Sequence, residues 1–279
     1  MQEINFKKKL NLWELSTFAR TKQINCEILV KQAYQKGFLE DENNFLLGKF
    51  INHFKNKEEY KSQLFQDIFA SFIIGHKFEK TFLEFGATNG FDLSNSYFLE
   101  KKLNWNGMLS EPSPQWHEAL KKNRKESNII TKCIWSQSDK KLEFFMSDAG
   151  AYSTINDFVE SDKNSMPENT FERKKGGKIV SVETISLNDV IKEYFNNIAP
   201  SYISIDTEGS EFEILKTLNF KKFRPIVFTI EHNFTDFEKK IDYLMISNNY
   251  IRVFKGITAF DAWYVTEEVY NQINLKKED

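Results

Sequence analysis

The chain has 279 residues, with 38 Lys or Arg against 40 Asp or Glu, for a formal charge of -2. That length can bury a substantial core, as one elaborated domain or as a core with a small accessory region, and the balanced charge argues against a general nucleic-acid-binding surface. Cys26 and Cys133 are too far apart for a C-x-x-C redox motif or a metal pair, and no stretch reads as a secretory signal or a membrane-spanning helix.

Residues 1–57 read as a helical accessory region, with helical stretches over Leu10–Leu39, a polar break at Asp41–Asn44 and a further candidate over Phe45–Phe54. This material is suited to cap the core or to join copies into a homo-oligomer. A core of residues 58–272 follows. It opens with a predicted helix from Glu58 to Ile74, in which Leu64, Phe65, Ile68, Phe69, Phe72 and Ile73 supply burial, while Ser62, Gln63, Gln66 and Asp67 form a polar cluster.

Thr81–Phe85 is an apolar, β-branched run that reads as a buried strand, and Gly86 follows at its carboxyl end, where open α/β sheets place ligands. Gly86 permits a sharp turn; Gly90 lets the backbone approach a ligand or pack closely on the next element. A helix over SNSYFLEKKL comes next. Trp105–Leu109 then leads through Ser110 to Glu111, and Pro112 and Pro114 fix a turn that cannot extend the strand. Glu111 lies roughly 20 residues beyond the glycine turn, the separation expected of an acid that accepts hydrogen bonds from two ribose hydroxyls.

Ile129–Trp135 reads as a third strand and Leu142–Met146 as part of a peripheral hairpin. A specificity insertion is expected at about 142–182, mobile over Lys163–Gly177 without ligand, with Arg173, Lys174, Lys175 and Lys178 as a basic patch open to a polar acceptor or to solvent. Tyr202–Ile205 is the next buried strand. It ends at Asp206, and Thr207 to Ser210 precede a helix whose first turn holds Glu211 and Glu213. Ile226–Ile230 ends at Glu231, His232 and Asn233, three hydrogen-bonding side chains suited to orient a hydroxyl, take its proton or hold a hard cation with Asp206. Asp206 or His232 is the expected base. Tyr250–Phe254 and Trp263–Thr266 read as two final strands closing an edge antiparallel to the rest, joined by a connection that brings Asp261 toward the pocket, and 273–279 is a polar tail.

The glycine turn also discriminates between cofactors. A dinucleotide fingerprint needs G-x-G-x-x-G, whereas this chain has G-x-x-x-G with Thr88 at the second glycine position and Glu84 just before the turn. A carboxylate there repels a pyrophosphate and attracts the ammonium of an amino-acid moiety. S-adenosylmethionine is therefore favoured over NAD. No GKS/T phosphate loop is present.

These motifs in this order, EFGATNG at Glu84–Gly90, SNSYFLE at Ser94–Glu100, WNGMLSEPSP at Trp105–Pro114, IDTEGSEFEIL at Ile205–Leu215 and IEHN after the fifth strand, resemble the FkbM family of S-adenosylmethionine-dependent methyltransferases. The resemblance runs from SQLFQD at Ser62 to DAWYV at Val265. It implies a Rossmann-like class I methyltransferase fold, a mostly parallel seven-stranded sheet flanked by helices with the final strand antiparallel, and O-methylation of a sugar, glycan or other small molecule. The glycine turn would then hold the methionine moiety and Glu111 the ribose, and the family's acidic signature falls on Asp206, Glu208, Gly209 and Glu211. Ser110 departs from a usual apolar residue, and Thr88-Asn89 from a differently polar pair.

The candidate cofactor-binding residues are thus Glu84, Gly86, Ala87, Asn89, Gly90, Ser94, Glu111 and Trp135. Glu208, Glu231, Asn233 and Asp261 are candidates for the acceptor or a metal, and Asp206, Glu231 and His232 for Mg2+ or Mn2+. A cytoplasmic protein is expected, with peripheral association with a membrane-linked glycan pathway left open. The competing readings are an NAD-dependent oxidoreductase and a catalytically inactive ligand-binding regulator.

Overall fold

The computed structural model describes residues 7–54 and 59–275. Three opening helices, α1 (Leu12–Lys22), α2 (Cys26–Gln35) and α3 (Asn44–His53), each start at an asparagine: the side chains of Asn11, Asn25 and Asn43 accept from the backbone N–H groups of Glu14, Ile28 and Leu46. The helix expected from Glu58, a position outside the described residues, begins only at Gln66 (α4, Gln66–Ile74). The polar cluster explains the late start. Ser62 donates to Asp67 at 2.6 Å, Gln66 accepts from the Leu64 amide at 2.9 Å, and Phe65 sits at φ 69°, so local side-chain bonds replace another helical turn.

The chain continues through β1 (Thr81–Phe85), α5 (Tyr97–Leu103), β2 (Asn106–Ser110), α6 (His117–Asn123), β3 (Asn128–Ile130) and β4 (Cys133–Trp135). The insertion carries β5 (Lys141–Ser147), β6 (Thr154–Ile155), α7 (Pro167–Lys174) and β7 (Gly177–Ser186). Then come α8 (Leu187–Tyr194), β8 (Tyr202–Ile205), α9 (Glu211–Leu215), β9 (Val227–Glu231), α10 (Phe237–Ser247), β10 (Tyr250–Val253), β11 (Asp261–Thr266) and α11 (Glu267–Leu275).

Seven strands form the main sheet in the order β10-β11-β9-β8-β1-β2-β3, and β11 alone runs antiparallel to its neighbours. This is the Rossmann-like class I methyltransferase architecture anticipated above. The final pair differs in detail: β11 is inserted between β9 and β10, so β10 forms the edge and runs with the parallel strands. The expected third strand also divides at Thr131 and Lys132. Only β3 joins the main sheet, while β4 pairs with β7 in a second, four-stranded sheet of order β4-β7-β5-β6.

Both faces of the main sheet are covered, so successive strand residues enter opposite cores: Phe82, Val227 and Trp263 on one side, Leu83, Phe228 and Tyr264 on the other. The N-terminal helices share the first of these cores. Phe50 lies 6.0 Å edge-on from Trp263, and Phe69 stacks on the same ring at 4.5 Å. α11 runs through Leu275 into the expected polar tail, whose residues 276–279 lie outside the described residues. Among the described residues, no helix is long and apolar enough to cross a membrane.

Candidate active site

The parallel strands release the chain at one edge of the sheet, and a cavity of about 710 Å3 opens there, bounded by the ends of β1, β2, β8 and β9. Gly86 forms part of its floor at φ 70°, and a Cβ on it would stand 1.8 Å from the Asp206 carbonyl oxygen. Only glycine fits between these two strand ends. Ala87 and Asn89 also line the cavity. Asn89 accepts from the Phe91 and Asp92 amides at 2.9 Å each, which shapes the turn. Glu111, at the end of β2, accepts from the Thr88 amide at 2.8 Å and the Ser113 amide at 2.7 Å. Burial pushes its carboxyl up to about 7 against the pull of those two donors.

Three carboxylates gather on the opposite wall. Asp206 follows β8, Glu208 stands in the next loop at φ 59°, and Glu231 ends β9; one oxygen from each lies within 4.8 Å of the others. Burial, then the charges of Asp261 and Glu211, raises Asp206 to about 8. Burial and the charge of Asp206 push Glu208 and Glu231 well above the usual carboxylate range. The loop after Asp206 is held by one Glu211 oxygen, which accepts from the Thr207 amide, the Thr207 hydroxyl and the Gly209 amide at 2.9–3.0 Å. Glu208 also receives Arg173 of α7 at 2.6 Å.

Several expected residues face elsewhere. Gly90 is not in the lining: its missing side chain makes room for Leu120 and Arg124, which a Cβ would meet at 2.5 and 2.6 Å. It is a packing glycine against α6. Glu84 touches the cavity, but its carboxylate accepts from the Ser94 hydroxyl at 2.9 Å, the Asn95 amide at 2.8 Å and the Ser96 hydroxyl, with buried Arg124 at 3.7 Å. Ser94 lines the cavity as part of that network. Trp135 packs edge-on to Phe158 at 6.1 Å and lies outside the lining, which takes Cys133 and Ile134 instead.

His232 is separated from Asp206 and Glu231 in the same way. Its Nδ1 accepts from the Phe234 amide at 3.0 Å and its Nε2 lies 3.3 Å from Arg252, outside the lining and outside the carboxylate trio. Burial depresses its ring to about 4, and the nearby Arg252 adds to the effect. Glu231 and His232 are consecutive at a strand end, so their side chains leave on opposite sides. Asp261 sits behind the wall, where Gln66 and Trp263 each donate to it at 3.0 Å. Asn233 does reach the cavity.

Of the basic patch of the insertion, Lys174, Lys175 and Lys178 are exposed and Arg173 is not. Arg173 is fully buried, donates to the carbonyls of Tyr152 and Val159, and pairs with Asp162 at 2.7 Å as well as with Glu208. The stretch expected to be mobile contains α7, and Arg173 ties it to the acidic loop. Unforeseen lining residues are Asn11, Trp13 and Gln63 on one side and Phe234 on another. Nothing local in the sequence marks Asn11 and Trp13, whereas Gln63 belongs to the polar cluster that stands out ahead of α4. Asn233 and Phe234 adopt consecutive positive φ values of 46° and 53°, a strain that concentrates at functional sites.

Residues 84–264 match the Methyltransferase FkbM domain. The chain belongs to this family. Together with the fold, that membership makes it a methyltransferase of the S-adenosylmethionine-dependent class. No curated protein matches the sequence. Similar solved structures include precorrin-6y C5,15-methyltransferase from Geobacter metallireducens GS-15, at 11% identity and TM-score 0.37, covering 75% of this chain and 89% of that one. An O-methyltransferase from Bacillus cereus in complex with SAH shows 12% identity and TM-score 0.39, covering 91% and 97%. Human methyltransferase 10 domain containing protein shows 12% identity and TM-score 0.39, covering 72% and 80%. The family match, rather than these distant likenesses, places the chain. In this FkbM-domain protein Asn11, Trp13 and Gln63 reach the cavity from ahead of the family match.

Proposed function

We propose that this protein transfers a methyl group from S-adenosylmethionine to a hydroxyl of a sugar, a glycan or another small molecule. The observation that carries the reading is a single cavity joining the Gly86 turn and Glu111 to Asp206 and Glu231. A donor would be held by its methionine end at Gly86 and by its ribose at Glu111. Bound there, it supplies an electrophilic methyl carbon. The protein's tasks are to align an acceptor oxygen with that carbon, keep water out and remove the hydroxyl proton.

Asp206 is the base in this reading. It faces the cavity, and its raised affinity for a proton makes it a stronger acceptor than an ordinary carboxylate. As the oxygen–carbon bond forms and the carbon–sulfur bond breaks, the hydroxyl proton passes to Asp206 and S-adenosylhomocysteine remains. On the acceptor side Trp13, 43% exposed, and Phe234, 52% exposed, offer apolar faces beside the amides of Asn11, Gln63 and Asn233. That mixture suits a ring carrying hydroxyls.

The test pairs binding with transfer. Calorimetry should show S-adenosylhomocysteine bound and NAD not bound; the reverse result would establish the oxidoreductase alternative. Labelled methyl should pass from S-adenosylmethionine to a panel of methyl pyranosides and nucleotide sugars. Asp206→Asn should lower transfer by about 100-fold or more with S-adenosylhomocysteine affinity kept. Binding without transfer to any hydroxyl would instead favour a ligand-binding regulator.

A further inference from the structure

We infer that Asp206, Glu208 and Glu231 form a site for one hard divalent cation of the Mg2+ and Mn2+ class on the acid wall of the cavity. Geometry comes first. One oxygen from each residue lies within 4.8 Å of the others. Oxygens around such ions stand about 3 Å apart when adjacent and about 4.2 Å when opposite, so the trio closes on an ion through small side-chain rotations. The residues come from the end of β8, the loop after it and the end of β9, on a frame fixed by the sheet pairing and by Glu211.

The second observation is Glu231 itself. It is only 7% exposed and lines the cavity, yet its Oε2 has no hydrogen-bond partner. An oxygen buried in this way is normally paired, and leaving it unpaired is costly. The remaining carboxylates are only partly answered. Glu208 spends one oxygen on Arg173 and Asn169, and Glu211 and Asp261 add negative charge behind the trio. A divalent ion at the trio supplies the missing partner.

Donor chemistry sets the class of ion. With His232 turned to Arg252, the cluster offers oxygens alone, which favour Mg2+ or Mn2+ over the nitrogen- and sulfur-seeking zinc. Three protein ligands leave positions that open into the cavity for water. An acceptor hydroxyl entering one of them would lose its proton more readily, a consequence that rests on the methyl-transfer reading.

The test is Mn2+ titration of the 279-residue chain saturated with S-adenosylhomocysteine, followed by paramagnetic resonance of free Mn2+ and by thermal melting. One Mn2+ should bind per chain, raise the melting temperature and be displaced by Mg2+. Glu231→Gln and Asp206→Asn should each weaken Mn2+ binding by at least about tenfold with circular dichroism and S-adenosylhomocysteine affinity unchanged. Full free-ion signal from the wild type at millimolar Mn2+, or wild-type Mn2+ affinity in both variants, would overturn the site. Mn2+ binding without S-adenosylhomocysteine binding would uphold the cation site and remove the methyl-donor reading, so the two fail separately.

Discussion

Gly86 and Gly90 share almost the same backbone angle, φ 70° and 71°, yet they answer to different neighbours. A side chain at Gly86 runs into the Asp206 carbonyl at the cavity floor; one at Gly90 runs into Leu120 and Arg124. Gly86→Ala is therefore expected to cost about 1–3 kcal/mol of stability and also to abolish S-adenosylhomocysteine binding. Gly90→Ala should cost a similar amount and leave most of the affinity intact. Urea denaturation and calorimetry on both variants separate the roles, and equal loss of binding would refute the distinction. The local sequence marks both glycines as turn formers but carries no sign of what each touches. The fate of His232, by contrast, was readable, because adjacent residues at a strand end point to opposite faces once Glu231 is given to the cavity.

Among the elements, α7 is the least expected. KKGGK beside Arg173 reads as a solvated basic run, and a charge run does not reveal which member turns inward. Arg173 does so because it reaches Asp162 within the insertion and Glu208 outside it at the same time. Arg173→Ala leaves those two carboxylates without their cation and should destabilise the fold by about 3–5 kcal/mol. Limited proteolysis should then cut within 148–178 faster than in the wild type, and an unchanged cleavage pattern would mean that the insertion is held by its β5–β7 pairing alone. The late start of α4 and the break between β3 and β4 have a related origin. Apolar content predicted continuous elements, but the bonds of Gln66 and Asp67 to nearby groups and the switch of β4 to a second sheet are decided by partners.

For the molecule as a whole, burial holds carboxyls in and behind the cavity wall above their ordinary range: Glu111 to about 7 and Asp206 to about 8 in the lining, and Asp261, behind it, to about 7. A carboxyl raised in the folded state contributes stability that is full below its unfolded value and is lost as pH rises through the folded one. His232, depressed to about 4, contributes in the opposite sense: its share is present above its unfolded value near 6.5 and lost as pH falls toward 4. The ligand-free protein should therefore melt highest in weak acid, with the melting temperature falling from about pH 6 to about pH 8. A flat profile over that range would show that these groups are more solvated than their setting implies.

The sequence by itself determined the order of the strands that carry the site, the glycine turn, the acids at three strand ends and the family, because each depends on short apolar runs and their punctuation. The tertiary structure alone decided which of those side chains share the cavity. It turned Gly90, Trp135, His232, Asp261 and Arg173 to other partners and brought Asn11, Trp13 and Gln63 in from the N-terminal helices and the turn before α4. Contacts between residues far apart in the chain depend on how two elements pack, and no local pattern records the packing angle or the face each element presents.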